Sequence, residues 1–130
     1  MKYSKTSVGK LINPEFITVS SEASASEALA TVKEKLIDSP FSSYIYALNN
    51  QGLLVGVIKL ADLLIQEGDT QVFKFMEQDV VVSHLTTPQE IALKRMLKYK
   101  LYALPIIEDT KKMIGVVTFD DMIEDVERKL

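Results

Sequence analysis

The sequence predicts an α+β fold built from two β-α-β-β-α units packed sheet to sheet about a pseudo-twofold axis. Three observations carry this expectation. The chain is similar to itself: sliding it along its own length lays Ile45–Leu48 on Leu104–Ile107, Gly56 on Gly115 and Asp62 on Asp121, and a slightly larger shift lays Ile17–Val19 on Val80–Val82 and Glu27 on Glu90. Within each copy, runs of β-branched residues alternate with stretches whose apolar residues recur at helical spacing. One copy alone supplies a three-stranded sheet with an uncovered face, so a second copy is needed to bury it.

Taken in order, Phe16–Val19 opens copy one as a short extended apolar run, and SSEASASE behind it is rich in residues that start helices. Ala28, Leu29, Val32 and Leu36 then fall on one helical face. The segment IDSPFSS at 37–43 takes up the difference between the two shifts. YIYAL and LLVGVI, separated by NNQG, have the spacing of a hairpin, and a second helix closes the copy. QEGDTQ at 66–71 is the joint, which divides the chain into motif 1 (residues 1–67) and motif 2 (residues 68–130). Copy two repeats the order. Val80–Val82 is its first extended run and SHLTTPQE its helix start, and Ala92, Leu93, Met96 and Leu97 form the apolar stripe, with Lys94, Arg95 and Lys98 outward. YALPII and MIGVV flank EDTKK as a second hairpin. The last helix, from about Asp120, sets Met122, Ile123, Val126 and Leu130 against Glu124, Asp125, Glu127, Arg128 and Lys129 on its other side.

Composition narrows the function classes. At 130 residues, 47% hydrophobic and 25% charged with a formal charge of -3, the chain has the make-up of a globular domain without the basic stripe of a nucleic-acid binder. It contains no cysteine, hence no disulfide and no thiolate chemistry. No run of about 18 apolar residues is present to insert directly into a membrane. The expected location is the cytoplasm, or the cytoplasmic face of a membrane if the chain serves a transporter. The single histidine, His84, has no second histidine with which to ligate a metal, and no nucleophile–base pair is readable, so an enzyme is not expected.

The residues that carry chemistry stand at the two strand-to-helix junctions, GVIKLAD (56–62) and GVVTFDD (115–121). A strand that runs straight into a helix leaves backbone N–H groups aimed at one place, which favours an anion such as phosphate. The Thr118 hydroxyl adds a donor. Asp121, ionised and acceptor-only, suits the vicinal diol of a ribose. The same pair also suits a helix cap with no ligand at all. In copy one Lys59 stands where the hydroxyl should be, which makes Lys59 and Asp62 the weaker site. At the chain's end, Asp120, Asp121, Glu124 and Asp125 are expected to collect oxygens on one exposed helix face, a donor set that suits Mg²⁺; helix N-termini also attract acidic residues through the helix dipole alone.

The duplication, with a Gly, two apolar residues, Thr or Ser and then Asp in the second junction, resembles a pair of cystathionine-β-synthase (CBS) motifs, the Bateman module. Copy two meets that signature at Gly115, Val116, Val117, Thr118 and Asp121, while copy one departs from it at Lys59. The resemblance implies an adenine nucleotide (ATP, ADP or AMP) between the copies, its base against Val81, Val82, Leu104 and Pro105 for copy two and against Ile17, Thr18 and Tyr46 around copy one. SSYIYALNNQGLLVGVIKLADLL, DTQVFKFMEQDVVV and TTPQEIALKRMLKYKLYALPII are similar to the cytosolic CBS pair of MgtE-type magnesium transporters. This closer resemblance implies a homodimer, Mg²⁺ bound through acidic residues between domains, and a transmembrane transport domain outside these 130 residues. The apolar stripes Met122, Ile123, Val126 and Leu63, Leu64 also point to a homodimer. The helical acidic domain that usually precedes such a pair is not in this stretch, so the expectation is either a fragment of a transporter that responds to Mg²⁺ or nucleotide, or a stand-alone adenine-nucleotide-binding CBS protein that regulates another partner.

Overall fold

The computed structural model describes residues 7–36 and 44–129, with side chains up to Asp125. The 37–43 insertion, Leu130 and the side chains of Val126, Glu127, Arg128 and Lys129, all assigned roles above, lie outside the described residues. Packing divides the chain into two units, Glu15–Val80 and Met1–Pro14 with Val81–Leu130.

Glu15–Val80 contains β1 (Thr18–Ser20), α1 (Ala25–Leu36), β2 (Tyr44–Leu48), β3 (Leu54–Lys59), α2 (Leu60–Leu64) and a 3₁₀ turn at Val72–Lys74. β1 lies parallel to β2 and β3 antiparallel to it, so β2 is central. The start of α1 is fixed by a reciprocal cap: the Glu27 N–H donates to Ser24 Oγ at 3.1 Å and the Ser24 N–H donates to Glu27 Oε1 at 3.1 Å. Ala25, Ala28 and Val32 form its buried stripe, packed with Val19, Ile45, Ala47 and Ile58 from the sheet. The β2–β3 hairpin turns at Gly52, whose φ of 78° needs a residue free to enter the left-handed region.

The other unit contains a 3₁₀ turn at Val8–Leu11, then α3 (Gln89–Tyr99), β4 (Ala103–Ile107), β5 (Met113–Thr118) and α4 (Phe119–Lys129). Its core joins Ala92 and Met96 of α3, Leu104 and Ile106 of β4, Val117 of β5, Met122 of α4 and Val8. Lys100 ends α3 in the left-handed conformation, and its N–H and that of Leu101 both donate to the Met96 carbonyl.

Three expectations are corrected here. Val80–Val82 is not a strand. The segment meets β4 through one parallel bridge, Ser83 to Ile106, in which the Ser83 N–H donates to the Pro105 carbonyl at 3.0 Å and the Ile107 N–H donates to the Ser83 carbonyl at 2.9 Å. The cause is Pro105. In the other unit the Tyr46 N–H donates to the Ile17 carbonyl at 3.0 Å and extends the ladder; Pro105 holds the position equivalent to Tyr46 and has no N–H to give. The second correction is of register. Val19 pairs with Ala47 as Ser83 pairs with Ile106, so Val19 is equivalent to Ser83, one residue beyond the match read from the sequence. A run of three valines gives no polarity pattern to prevent that slip. Third, Arg95 is half-buried rather than solvated with the lysines of its helix.

The compact units cross the boundary between the two sequence motifs. The Val8 and Gly9 N–H groups donate to the carbonyls of Thr87 and Leu85, and Asn13 exchanges two backbone bonds with Val116 (2.7 and 2.9 Å). In the same way the Val72 and Phe73 N–H groups donate to Ala23 and Ser21, and Glu77 exchanges two bonds with Val57 (2.9 and 3.0 Å). The leading strap of each sequence copy therefore completes the sheet edge of the other. Gly56 and Gly115 lie under these straps: a Cβ on Gly56 would meet the Met76 side chain, and one on Gly115 would meet Ile12 and the Asn13 carbonyl.

Candidate ligand site at the strand-to-helix junctions

β5 passes into α4 without a loop. Thr118 pairs with Ala103 of β4 and its Oγ1 accepts the Asp121 N–H at 3.1 Å, while the Phe119 N–H donates to the Tyr102 carbonyl at 2.7 Å. Thr118 is thus a helix cap. A hydroxyl that accepts from an amide keeps its own hydrogen to donate, so capping leaves one polar contact available to a ligand. The Asp121 side chain is half-buried beside it.

The Ser83–Ile106 bridge sets Val82 beside Pro105 and Val81 beside Leu104. Leu104 is fully buried in the core and Val81 packs against that core, so these two side chains face the helices. Val82 and Pro105 alternate onto the opposite sheet face. Of the four apolar residues expected against a base, the structure puts only these two on a common face outside the core cluster.

In the other unit, Lys59 ends β3 at the N-cap position of α2, exposed and with no side-chain cap bond, and Asp62 is exposed one turn along the five-residue helix. Thr18 pairs with Tyr46, and Ile17 is part of the core. Tyr46 is buried outside the core cluster. Burial first, and the nearby Tyr44 second, push its phenol well above the usual range, so it is a neutral hydroxyl.

The acidic end does not form one exposed face. Asp120 and Glu124 are exposed and Asp121 is half-buried, but Asp125 is only 5% exposed, on the same side of α4 as buried Met122. Residues three apart on a helix share a side, which places Asp125 with Met122. Among the described residues no three carboxylate or imidazole groups converge on one point. Mg²⁺ bound by these residues alone would therefore rest on one or two carboxylates and keep most of its water.

Arg95 reads in the sequence as one more outward cation, and nothing local singles out Ser83. Arg95 Nη1 donates to the Val82 carbonyl at 3.0 Å and to the Oγ of fully buried Ser83 at 2.9 Å. The positions equivalent to them in copy one are Thr31 and Val19, so a polar pair replaces a threonine and a valine together. With the register set one residue further on, that paired change is visible in the self-comparison.

Two α+β copies, each ending in a strand-to-helix junction and each lending its strap to the other, define a paired-repeat module. The chain belongs to the CBS-domain family, whose sequence profile matches residues 8–67 and 72–128. It is similar to the magnesium transporter MgtE of Thermus thermophilus, 29% identical over 126 residues, which span 97% of this chain and 28% of the transporter. MgtE of Bacillus subtilis is 26% identical over 129 residues, 99% of this chain and 29% of the transporter. The solved cytosolic domain of the Mg²⁺ channel MgtE in complex with ATP superposes with a TM-score of 0.90 at 29% identity, covering 95% of this chain and 50% of that one. The chain thus spans less than a third of the curated transporters it matches. Among the described residues, no helix is long and apolar enough to cross a membrane.

Proposed function

We propose that this CBS pair is a regulatory binding module rather than an enzyme, the cytosolic part or a relative of an MgtE-type magnesium transporter, whose gating it adjusts in response to Mg²⁺, adenine nucleotide or both. The observation that carries the reading is the likeness, over nearly the whole chain, to a cytosolic MgtE domain whose structure was solved with ATP. In this reading copy two is the principal nucleotide site. The Thr118 hydroxyl and the α4 N-terminus meet phosphate, Asp121 meets the ribose diol, and Val82 and Pro105 meet the base. Lys59, Asp62 and Tyr46 form the lesser site. A hydrogen bond to a charged carboxylate is worth about 1.5–3 kcal/mol, so Asp121→Ala should weaken binding by roughly tenfold or more, and Asp62→Ala should not. A thermal-shift titration with AMP, ADP, ATP and adenosine reads both. No shift of the wild type at millimolar nucleotide, or an equal shift for Asp121→Ala, leaves Thr118 and Asp121 as a cap alone.

The module would act as a homodimer beside a transmembrane transport domain outside these residues. Met122 and Leu63 are buried within their own units; among the described residues, Leu64 at the end of α2, Ile65 just after it and Leu97 on α3 are among the exposed apolar side chains that a partner would cover. A strictly monomeric species in sedimentation at tens of micromolar would rule the dimer out. Mg²⁺ would bind between Asp120 or Glu124 and acidic groups of a neighbouring domain, drawing them together by charge neutralisation. Hydrogen exchange of residues 120–129 in the full protein should slow with millimolar Mg²⁺, and unchanged exchange would remove the metal from the reading. The second reading, a stand-alone adenine-nucleotide sensor acting on another protein, shares the site and differs only in the partner.

A further inference from the structure

We infer that Arg95 is a positioning residue that makes copy two the binding-competent copy, by holding the Val81–Ser83 segment where Pro105 prevents the sheet from doing so. The inference rests on the nucleotide reading of the copy-two site. In Glu15–Val80 the segment that would meet a base is a true strand, with Thr18, Val19 and Ser20 paired to β2 and the Ile17 carbonyl taken by the Tyr46 N–H. In the other unit Pro105 stands at the position of Tyr46, that ladder bond is lost, and one bridge at Ser83 remains. A segment held by one bridge would drift, and with it Val82.

Arg95 holds it from the other side. In a parallel ladder, if the N–H and carbonyl of Ser83 face β4, the carbonyl of the preceding residue faces away. That outward carbonyl, on Val82, is the one Arg95 Nη1 takes, and the same nitrogen holds the buried Ser83 Oγ. The cation thus replaces, on the free edge, the order that proline removes on the paired edge. Proline in turn sets its buried ring on the face it shares with Val82. The two features are complementary, and copy one has neither: Tyr46 supplies its N–H, and Thr31 and Val19 stand for Arg95 and Ser83.

The test is Arg95→Met, which keeps the aliphatic stem, beside Arg95→Lys, which keeps a donor. Two readouts are taken on the intact chain: hydrogen exchange at the Ser83 and Ile107 amides, and affinity for the nucleotide that best stabilises the wild type. The expected result for Arg95→Met is faster exchange at these two amides with the amides that pair β4 to β5 unchanged, and affinity lower by about fivefold or more, with partial recovery in Arg95→Lys. Pro105→Ala, which restores an N–H opposite the Val81 carbonyl, should return protection to Ser83 and Ile107 in the Arg95→Met background. Wild-type exchange at Ser83 and Ile107 in Arg95→Met overturns the inference, as does loss of protection throughout the unit, which would mark Arg95 as a general core contact. Lost protection with unchanged affinity overturns its positioning role. If the wild type binds no adenine nucleotide, the reading of the site falls and the affinity claim with it, while the exchange readout still decides whether Arg95 holds the segment.

Discussion

Replacing each signature glycine by alanine should have unequal effects, because the two straps offer the new methyl group different neighbours. At Gly115 the added Cβ would lie 2.5 and 2.6 Å from Cγ1 and Cδ1 of Ile12 and 2.8 Å from the Asn13 carbonyl oxygen. The side chain can turn, but the carbonyl can retreat only by moving the strap and stretching the two bonds between Asn13 and Val116. Overpacking costs about 1–3 kcal/mol and each hydrogen bond about 1 kcal/mol, against about 0.5–1 kcal/mol gained from replacing a strand glycine. The net loss expected for Gly115→Ala is about 2–3 kcal/mol. At Gly56 the three atoms nearest the new Cβ all belong to the Met76 side chain: Sδ and Cγ, the latter at 2.7 Å, can swing aside about rotatable bonds, and Cβ at 3.1 Å has to give by only a few tenths of an ångström. Gly56→Ala should cost about 1 kcal/mol or less. Urea denaturation followed by far-UV circular dichroism gives the two differences, and exchange at the Asn13 and Val116 amides shows whether the strap has lifted. Equal losses, or a larger loss at Gly56, would refute the account of why these positions are glycine.

The two hairpins make a second matched pair: Lys111 holds a φ of 68° where copy one has Gly52 at 78°. Lys111→Gly should be neutral or stabilise by up to about 1 kcal/mol, and Gly52→Ala should cost about 1 kcal/mol although nothing lies within 4 Å of the new methyl group; a neutral Gly52→Ala in urea denaturation would show that the turn relaxes. Glu27 predicts an acid limb. The backbone and then the side chain of Ser24 hold its carboxyl below the ordinary 4.5, so its contribution is present above that pH and is lost as pH falls through the lower folded value. The denaturation midpoint of Glu27→Gln should therefore fall less steeply than that of the wild type below about pH 4.5, and parallel curves would show that the cap does not depend on charge.

The duplication, the α+β class and the order of helices and hairpins were legible because they rest on local periodicity. Ala28 and Val32, or Ala92 and Met96, announce a helix face with no knowledge of what lies opposite. The junction at Thr118 was legible for the same reason, as a strand pattern giving way to a helical one at a hydroxyl. What the sequence hid depends on partners far along the chain. Nothing local in Val8–Asn13 says that it borders Val116, and Gly115 reads as a signature element until Ile12 is seen above it. Pro105 within an apolar run did signal a missing donor, but which ladder bond it removes depends on the register of the preceding valines. Charge alone groups Asp125 with Glu124 on α4, and Met122 three residues earlier marks the buried side it joins.

The exchange of straps also sets an order of events on the ribosome. Residues 15–80 contain everything their unit needs, including the Val72–Glu77 strap, so this unit can close while the rest is still being made. The strap at Val8–Asn13 emerges well before its partners at Leu85, Thr87 and β5, and its pairing of Asn13 with Val116 closes one of the longest loops among the described residues. A segment made ahead of both its partners thus waits for β5 to find its full place, and slow or interrupted synthesis leaves its bare edge available to the β5 strand of another copy.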